Sequence, residues 1–174
     1  MSIVGIKWNP AWQLDPPAKI DINPDGTVTF EGPIGDVLLP RDYIEFLLVS
    51  DGAALRDRGS WFLARFNDGT LLAEIEWLGG IDNAMGGTWN LYIYPEPEKN
   101  MVPDGFINIG HAEPGPDGIY VLLNVDANSQ DYGKVYAWIN ANDPWMIGDN
   151  TRGLGFVADS FTEFMNNLTD RKNL

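Results

Sequence analysis

Cysteine is absent from the chain and histidine is scarce: the 174 residues contain 0 Cys and 1 His. Without cysteine the protein has no disulfide bond and no thiolate metal site. A chain of this length can bury a sizeable hydrophobic core without such cross-links. A single histidine also means that any Ser–His or Cys–His type of catalysis would depend on His111 alone.

The chain also lacks the short motifs of the best-known catalytic and phosphate-binding sites. It has no G-x-S-x-G, no Walker A sequence, and no G-x-G-x-x-G between a predicted strand and a predicted helix. His111 stands at the end of a predicted strand beside a Pro/Gly-rich turn, where an exposed or locally hydrogen-bonded histidine is the simpler interpretation. We therefore expect no catalytic residues and a protein that is not an enzyme.

One segment begins like a calcium-binding loop. Asp126, Asn128 and Gln130 alternate as in an EF-hand, but the sixth position is Asp131 instead of Gly, and the twelfth is Ala137 instead of Glu. A solvated turn explains the segment better. We expect neither a metal site nor a cofactor.

Long hydrophobic runs are missing as well. The first residues lack a basic segment followed by a sustained apolar stretch, and no later window approaches the length of a membrane span. We therefore expect a cytoplasmic protein that does not bind membranes.

Basic residues are few relative to acidic ones. Asp and Glu number 25 against 11 Lys and Arg, which gives a formal net charge of -14. Such a surface repels phosphate backbones, so no nucleic-acid partner is expected, and a basic protein partner is favoured. The alternative is that acidity only keeps the domain soluble.

Paired carboxylates give the one enzymatic alternative. If residues 70–78 form a strand, Glu74 and Glu76 lie on one face, and two carboxylates across a cleft can hydrolyse glycosides. The 7 Trp could then serve as sugar platforms. Most of them lie within apolar runs, where core packing is the default interpretation.

The amino-terminal half contains signals for two hairpins and one helix. Residues 18–32 alternate apolar and polar side chains around Asn23-Pro24-Asp25-Gly26, which predicts a hairpin with arms at 20–22 and 28–30. Pro40 suits the first position of a helix, which a Tyr43, Phe46 and Leu47 stripe supports.

A second hairpin is predicted from the arms 61–66 and 70–78, with a turn at 67–69. The second arm also fits a helical stripe, and periodicity alone leaves both alternatives open. Residues 79–103 are interpreted as a short helix or strand with a loop. Three short β-branched or aromatic runs at 105–112, 118–126 and 133–140 then predict a meander of antiparallel strands, and 154–158 a last strand.

The carboxyl-terminal helix has the clearest local signal. Ser160 and Glu163 have capping-box spacing. In a capping box the Ser side chain accepts from the backbone N–H of the Glu, and the Glu side chain accepts from the backbone N–H of the Ser. The helix should begin at Phe161 and bury Phe161, Phe164, Met165 and Leu168, with Arg171 and Lys172 near its end. We interpret Ser160, Phe161, Glu163 and Phe164 as determinants of the fold.

Several of these segments together resemble, in the same order, the motifs of the SUKH superfamily, the group of Smi/Knr-type proteins. The segments are LPRDYIEFLLVSDGA, VPDGFINIG, DGIYVLL, GKVYAW and VADSFTEFMNNL. The resemblance implies a single α+β domain, a twisted, mostly antiparallel sheet with helices packed on it. Residues 39–174 would form the SUKH-like domain, and 1–38 an irregular segment and hairpin of the same domain.

The resemblance also implies a function. Bacterial SUKH proteins include immunity proteins that neutralise a polymorphic toxin, often a nuclease, by direct binding, so the implied partner is a basic toxin domain. The alternative within the superfamily is a cytoplasmic scaffold or regulator linked to cell-wall assembly.

Acidic turns between the last strands are the expected binding surface, because turns at a sheet end are exposed and variable in shape. Asp126, Asp131 and Asp143 lie in these turns. Trp145, the one aromatic in a polar segment bounded by Pro and Gly, is the expected anchor, since interface hot spots favour Trp.

Overall fold

The computed structural model describes residues 5–30, 35–55, 59–81, 102–113, 119–139 and 153–174. Within these ranges the strands are β1 (Gln13–Leu14), β2 (Thr27–Phe30), β3 (Gly35–Leu38), β4 (Gly52–Ala54), β5 (Trp61–Phe66), β6 (Gly69–Gly79), β7 (Phe106–Glu113), β8 (Ile119–Asn124), β9 (Val135–Ile139) and β10 (Leu154–Ala158). The helices are α1 (Arg41–Leu47) and α2 (Phe161–Asn167), and a 3-10 turn spans Arg171–Asn173.

The main sheet closes on itself. Its strand order is β1-β4-β6-β5-β10-β9-β8-β7, and β6 also pairs with β7, so β5 to β10 form a six-stranded, barrel-like sheet. The predicted α+β class is confirmed, but the prediction of a plain twisted sheet is wrong. The reason is the length of β6, whose 11 residues let it pair with β4 and β5 on one edge and with β7 on the other.

A hydrophobic core fills the inner side of this sheet, because alternate strand residues point inward. Ala73 and Ile75 of β6, Ile107 and Ile109 of β7, and Val121 of β8 are each fully buried. Both helices add side chains to the same core, namely Tyr43, Phe46 and Leu47 of α1, and Phe161, Phe164 and Met165 of α2. The predicted stripe of α1 is therefore confirmed.

The second hairpin is confirmed and the helical alternative for its second arm is wrong. β5 and β6 pair without interruption from Trp61↔Glu74 to Phe66↔Gly69. The three runs of the predicted meander form β7, β8 and β9, and residues 154–158 form β10. Most of 79–103 lies outside the described residues.

In the amino-terminal hairpin the predicted arm at 28–30 forms, but its pairing partner differs from the predicted one. The turn forms, since the Asn23 N–H donates to the Thr27 carbonyl at 2.8 Å, but β2 pairs with β3 instead of residues 20–22. Pairing with β3 places Val37 in the core beside Val28 and Phe30, whereas Ile22 remains 45% exposed. Burial of apolar surface thus favours the later arm.

Helix α2 begins at Phe161, as its capping signal predicts. The Ser160 hydroxyl accepts a hydrogen bond from the Glu163 N–H at 3.0 Å. The Glu163 carboxylate accepts from the N–H of Asp159 at 2.7 Å, one residue before the expected N–H of Ser160. The helix ends at Asn167, so Arg171 does not lie in its last turn; instead the Arg171 guanidinium lies over the Trp61 ring, 4.9 Å from its centroid.

Substitutions in α2 should separate its packing from its cap. Phe161→Ala leaves a cavity in the core and should lower the free energy of unfolding by about 3–5 kcal/mol. Ser160→Ala removes the cap and should cost about 1 kcal/mol. Asn167→Ala, at an exposed position of the same helix, is the control and should change stability by less than about 0.5 kcal/mol. Urea denaturation measures the free energy of unfolding of all three variants. Equal losses of stability in all three would contradict the roles of Phe161 in the core and Ser160 in the cap.

Candidate functional site

A cleft of about 670 Å³ lies between the β2–β3 hairpin and the turns that precede β7 and follow β8. We call it the acidic cleft. Its lining residues are Asp25, Thr27, Asp36, Val37, Leu38, Asp104, Gly105, Phe106, Val125, Asp126, Ala127 and Asn128.

Two aspartates come from the hairpin wall. The Asp25 carboxylate accepts hydrogen bonds from the Thr27 N–H at 3.0 Å and from the Thr27 hydroxyl at 2.7 Å. These bonds, that of the hydroxyl above all, lower the pKa of Asp25. Asp36 accepts from the Thr29 hydroxyl at 2.7 Å. Both carboxylates are therefore held in place by neighbouring threonines while they remain exposed.

The opposite wall carries Asp104 and Asp126. Gly105 has a φ of +80°, and a Cβ at this position would lie 2.9 Å from the Cβ of Asp126. Only glycine allows this close approach without strain. The Val125 N–H donates to the Gly105 carbonyl at 2.7 Å, which joins the two turns. Asp126 also accepts from the Asn128 N–H at 2.9 Å, as expected for an Asx-turn.

The cleft has apolar surface between its carboxylates. Val37 and Val125 are nearly buried beneath it, at 7% and 8% exposure, while Leu38 is 38% exposed. Phe106 is half-buried on the opposite wall. A long side chain with an apolar stem and a charged end can therefore contact both kinds of surface.

Among the described residues that line the acidic cleft there are four aspartates and no lysine or arginine. An adjacent depression, about 510 Å³, also contains acidic residues, but its acids are already engaged. Glu45 bonds Arg41 at 2.9 Å, Asp42 accepts from the Thr162 N–H at 2.8 Å, and Asp159 lies 3.7 Å from Lys134. The unbalanced negative charge is therefore greater in the acidic cleft.

Of the four predicted partner-binding residues, only one lines the acidic cleft within the described residues. Asp126 lines the acidic cleft, whereas Asp131 lies outside it and accepts a hydrogen bond from Lys134 at 2.7 Å. This contact raises the pKa of Lys134 and offsets the charge of Asp131. Asp143 and Trp145 lie outside the described residues.

Sequence reasoning missed the contribution of Asp25 and Asp36. The turn at Asn23–Gly26 was identifiable, but its position opposite Asp104 and Asp126 follows from the β2–β3 pairing and from tertiary packing. A signal was present in the concentration of Asp at turns throughout the chain.

Tyr132 connects the hairpin to the turn after β8. Its hydroxyl donates to the Leu38 carbonyl at 3.0 Å, a contact between residues 94 positions apart in the sequence. Partial burial raises the pKa of Tyr132 above its ordinary value, which is already well above neutral pH, and the protonated hydroxyl is a hydrogen-bond donor. This bond helps to keep the two walls of the acidic cleft together.

The enzymatic alternative gains one contact from the structure. The His111 Nδ1 atom lies 3.4 Å from a carboxylate oxygen of Glu76, and Glu74 is on the same outer face of β6. However, the hydroxyl of Ser60, which is fully buried, donates to Glu74 at 3.0 Å. Ser–His catalysis at His111 is a separate possibility, and in the part of the chain described no hydrogen bond joins Ser60 to His111, as a nucleophile–base pair would require.

The described residues include no group of three or more His, Asp or Glu side chains arranged to hold a metal ion. Nor do they include a helix that is long and apolar enough to cross a membrane.

The fold and the acidic cleft define an α+β domain with a recess suited to a cationic group. The model of the SMI1 / KNR4 family (SUKH-1) matches residues 34–167, which is most of the chain. The chain belongs to this family, as its ordered motifs predict. No curated protein and no solved structure matches it significantly.

Removing the Tyr132 hydroxyl should loosen the hairpin. Tyr132→Phe loses one hydrogen bond and should lower the free energy of unfolding by about 0.5–1.5 kcal/mol. Amide hydrogen exchange should accelerate in residues 35–38 and stay unchanged in β8. Tyr120→Phe is the control, because its hydroxyl donates no hydrogen bond within the described residues. Equal effects of the two substitutions would show that the hydroxyl bond does not hold the hairpin.

Proposed function

We propose that the protein is a non-enzymatic, cytoplasmic immunity protein that neutralises a basic toxin domain by direct binding, and that the acidic cleft receives the toxin. A nuclease toxin fits this proposal best. A nuclease needs a positively charged surface for its own substrate, and an acidic inhibitor can occupy that surface.

The acidic cleft is the observation that carries the proposal. Asp25, Asp36, Asp104 and Asp126 converge on it from segments far apart in the sequence, and no base among its described lining residues offsets them. Convergent charge of one sign attracts a partner of the opposite sign and increases the association rate. The net charge of -14 adds a long-range attraction of the same sign.

The shape of the acidic cleft suits binding by long basic side chains. Leu38 and Phe106 offer apolar contact to the stem of a lysine or arginine, and the carboxylates accept hydrogen bonds from its charged end. Because Asp25 and Asp36 are already positioned by threonines, little side-chain entropy is lost when they bind. Such preorganisation favours tight association without any chemical step.

Charge neutralisation in the acidic cleft should slow binding. The triple variant Asp36→Asn, Asp104→Asn and Asp126→Asn should reduce the association rate for the toxin domain encoded by the neighbouring gene by roughly tenfold at low salt. Its rate should also depend less on ionic strength. Surface-binding kinetics at low and high salt measure both effects.

A control with the same change in net charge isolates the acidic cleft. Glu45→Gln, Asp159→Asn and Asp170→Asn remove three carboxylates that have basic partners elsewhere. This variant should retain most of the association rate. Equal rates for the two triple variants would mean that only overall charge matters, and absence of any neighbouring toxin gene would favour the scaffold function instead.

A further inference from the structure

The outer face where β6 and β7 meet contains an irregularity in the strand pairing. The register of β6 against β7 shifts between Ile75 and Trp77, which marks a β-bulge. As a result the side chains of Glu76 and Trp77 are both on the outer side, although they are consecutive, and Leu78 returns to the core. Bulges commonly redirect side chains in this way at functional positions.

Trp77 is the most exposed aromatic side chain within the described residues, at 39%. Its ring stacks beside His111 with an angle of 13° between planes and 6.0 Å between centroids. His111 in turn contacts Tyr120 edge-on at 6.0 Å. The indole is thus held in a fixed orientation while much of its surface faces solvent.

Glutamates occupy strand positions next to Trp77 on β6 and β7. Glu76 is next to Trp77 and close to His111, and Glu113 follows His111 by two residues on the same face of β7. Glu113 stands directly opposite Glu74 in the β6–β7 ladder. Like charges in such cross-strand positions destabilise a sheet. Glu74 has a structural role, since it accepts a hydrogen bond from the buried Ser60 hydroxyl, but no such contact within the described residues explains Glu113. Glu113 has no ion-pair or hydrogen-bond partner for its side chain in the described ranges.

A second indole on the barrel surface, that of Trp61, already has a bound cation. Arg171 lies over the ring of Trp61, whose strand partner is Glu74. An indole beside a glutamate on this barrel therefore accepts a guanidinium. Among the described residues no cation lies over Trp77, although it has the same type of surroundings.

We propose that Trp77 and Glu113 form a binding site for an arginine side chain of a protein partner. A planar guanidinium can stack on the indole and at the same time donate hydrogen bonds to a carboxylate. A lysine ammonium is more strongly hydrated and cannot stack in this way, so arginine is preferred. This site is separate from the acidic cleft and does not depend on the function proposed above.

The test follows the indole N–H resonances of Trp77 and Trp61 by NMR during titration with a capped Gly-Arg-Gly peptide at low salt. The Trp77 resonance should shift and saturate, whereas that of Trp61, already covered by Arg171, should not. A Gly-citrulline-Gly peptide, which is isosteric but uncharged, should give no saturable shift. A Gly-Lys-Gly peptide should bind about two- to fivefold more weakly than the arginine peptide.

Two variants assign the site. Glu113→Gln should weaken the response of Trp77 by about two- to fivefold, and Asp126→Asn, in the acidic cleft, should leave it unchanged. Three outcomes overturn the proposal: a Trp77 resonance that ignores the arginine peptide, an equal response to citrulline, or loss of the response in Asp126→Asn. A Trp77 resonance that shifts with protein concentration alone would assign the face to self-association and would also overturn it.

Discussion

The pairing of β6 with β7 is the constraint on which the rest of the structure depends. It joins Ile75 to Ala112 and Leu78 to Gly110, and so closes a sheet that would otherwise end in two edges. The closure requires close approach, because a Cβ on Gly110 would lie 2.9 Å from the carbonyl oxygen of Trp77. A closed sheet also leaves fewer unpaired backbone groups than an open one.

Closure fixes the two surfaces that carry the proposals, because β7 contributes to both. The first residue of β7, Phe106, lies in the wall of the acidic cleft, and its last residue, Glu113, lies on the outer face beside Trp77. The interior of the barrel is occupied by core residues from strands and helices, so ligand contacts are confined to its rim and its outer face. A stable core of this kind allows acidic side chains on the surface that do not themselves favour folding.

Local signals predicted much of the fold, whereas contacts between distant segments did not follow from them. Capping at Ser160 and the β5–β6 turn involve residues a few positions apart, so sequence spacing reveals them. Barrel closure depends on which edges of β6 find partners, and alternation carries no such information. The same reason explains why Asp126 was predicted in the site but Asp25 and Asp36 were not. The sequence did contain a reason to exclude Asp131 from the predicted binding surface, since Lys134 follows it at a spacing that permits an ion pair.

The central claim is that the acidic cleft receives a basic protein. Hydrogen-exchange mass spectrometry of the protein with and without the basic toxin domain proposed as its partner tests it most directly. The account predicts protection on binding at both walls, in residues 23–27 and 35–38 and in residues 103–106 and 124–128. Little change is expected in α2 and the Arg171–Asn173 turn, which lie outside the cleft. Protection confined to α2 and that turn, with both walls unchanged, would contradict the account.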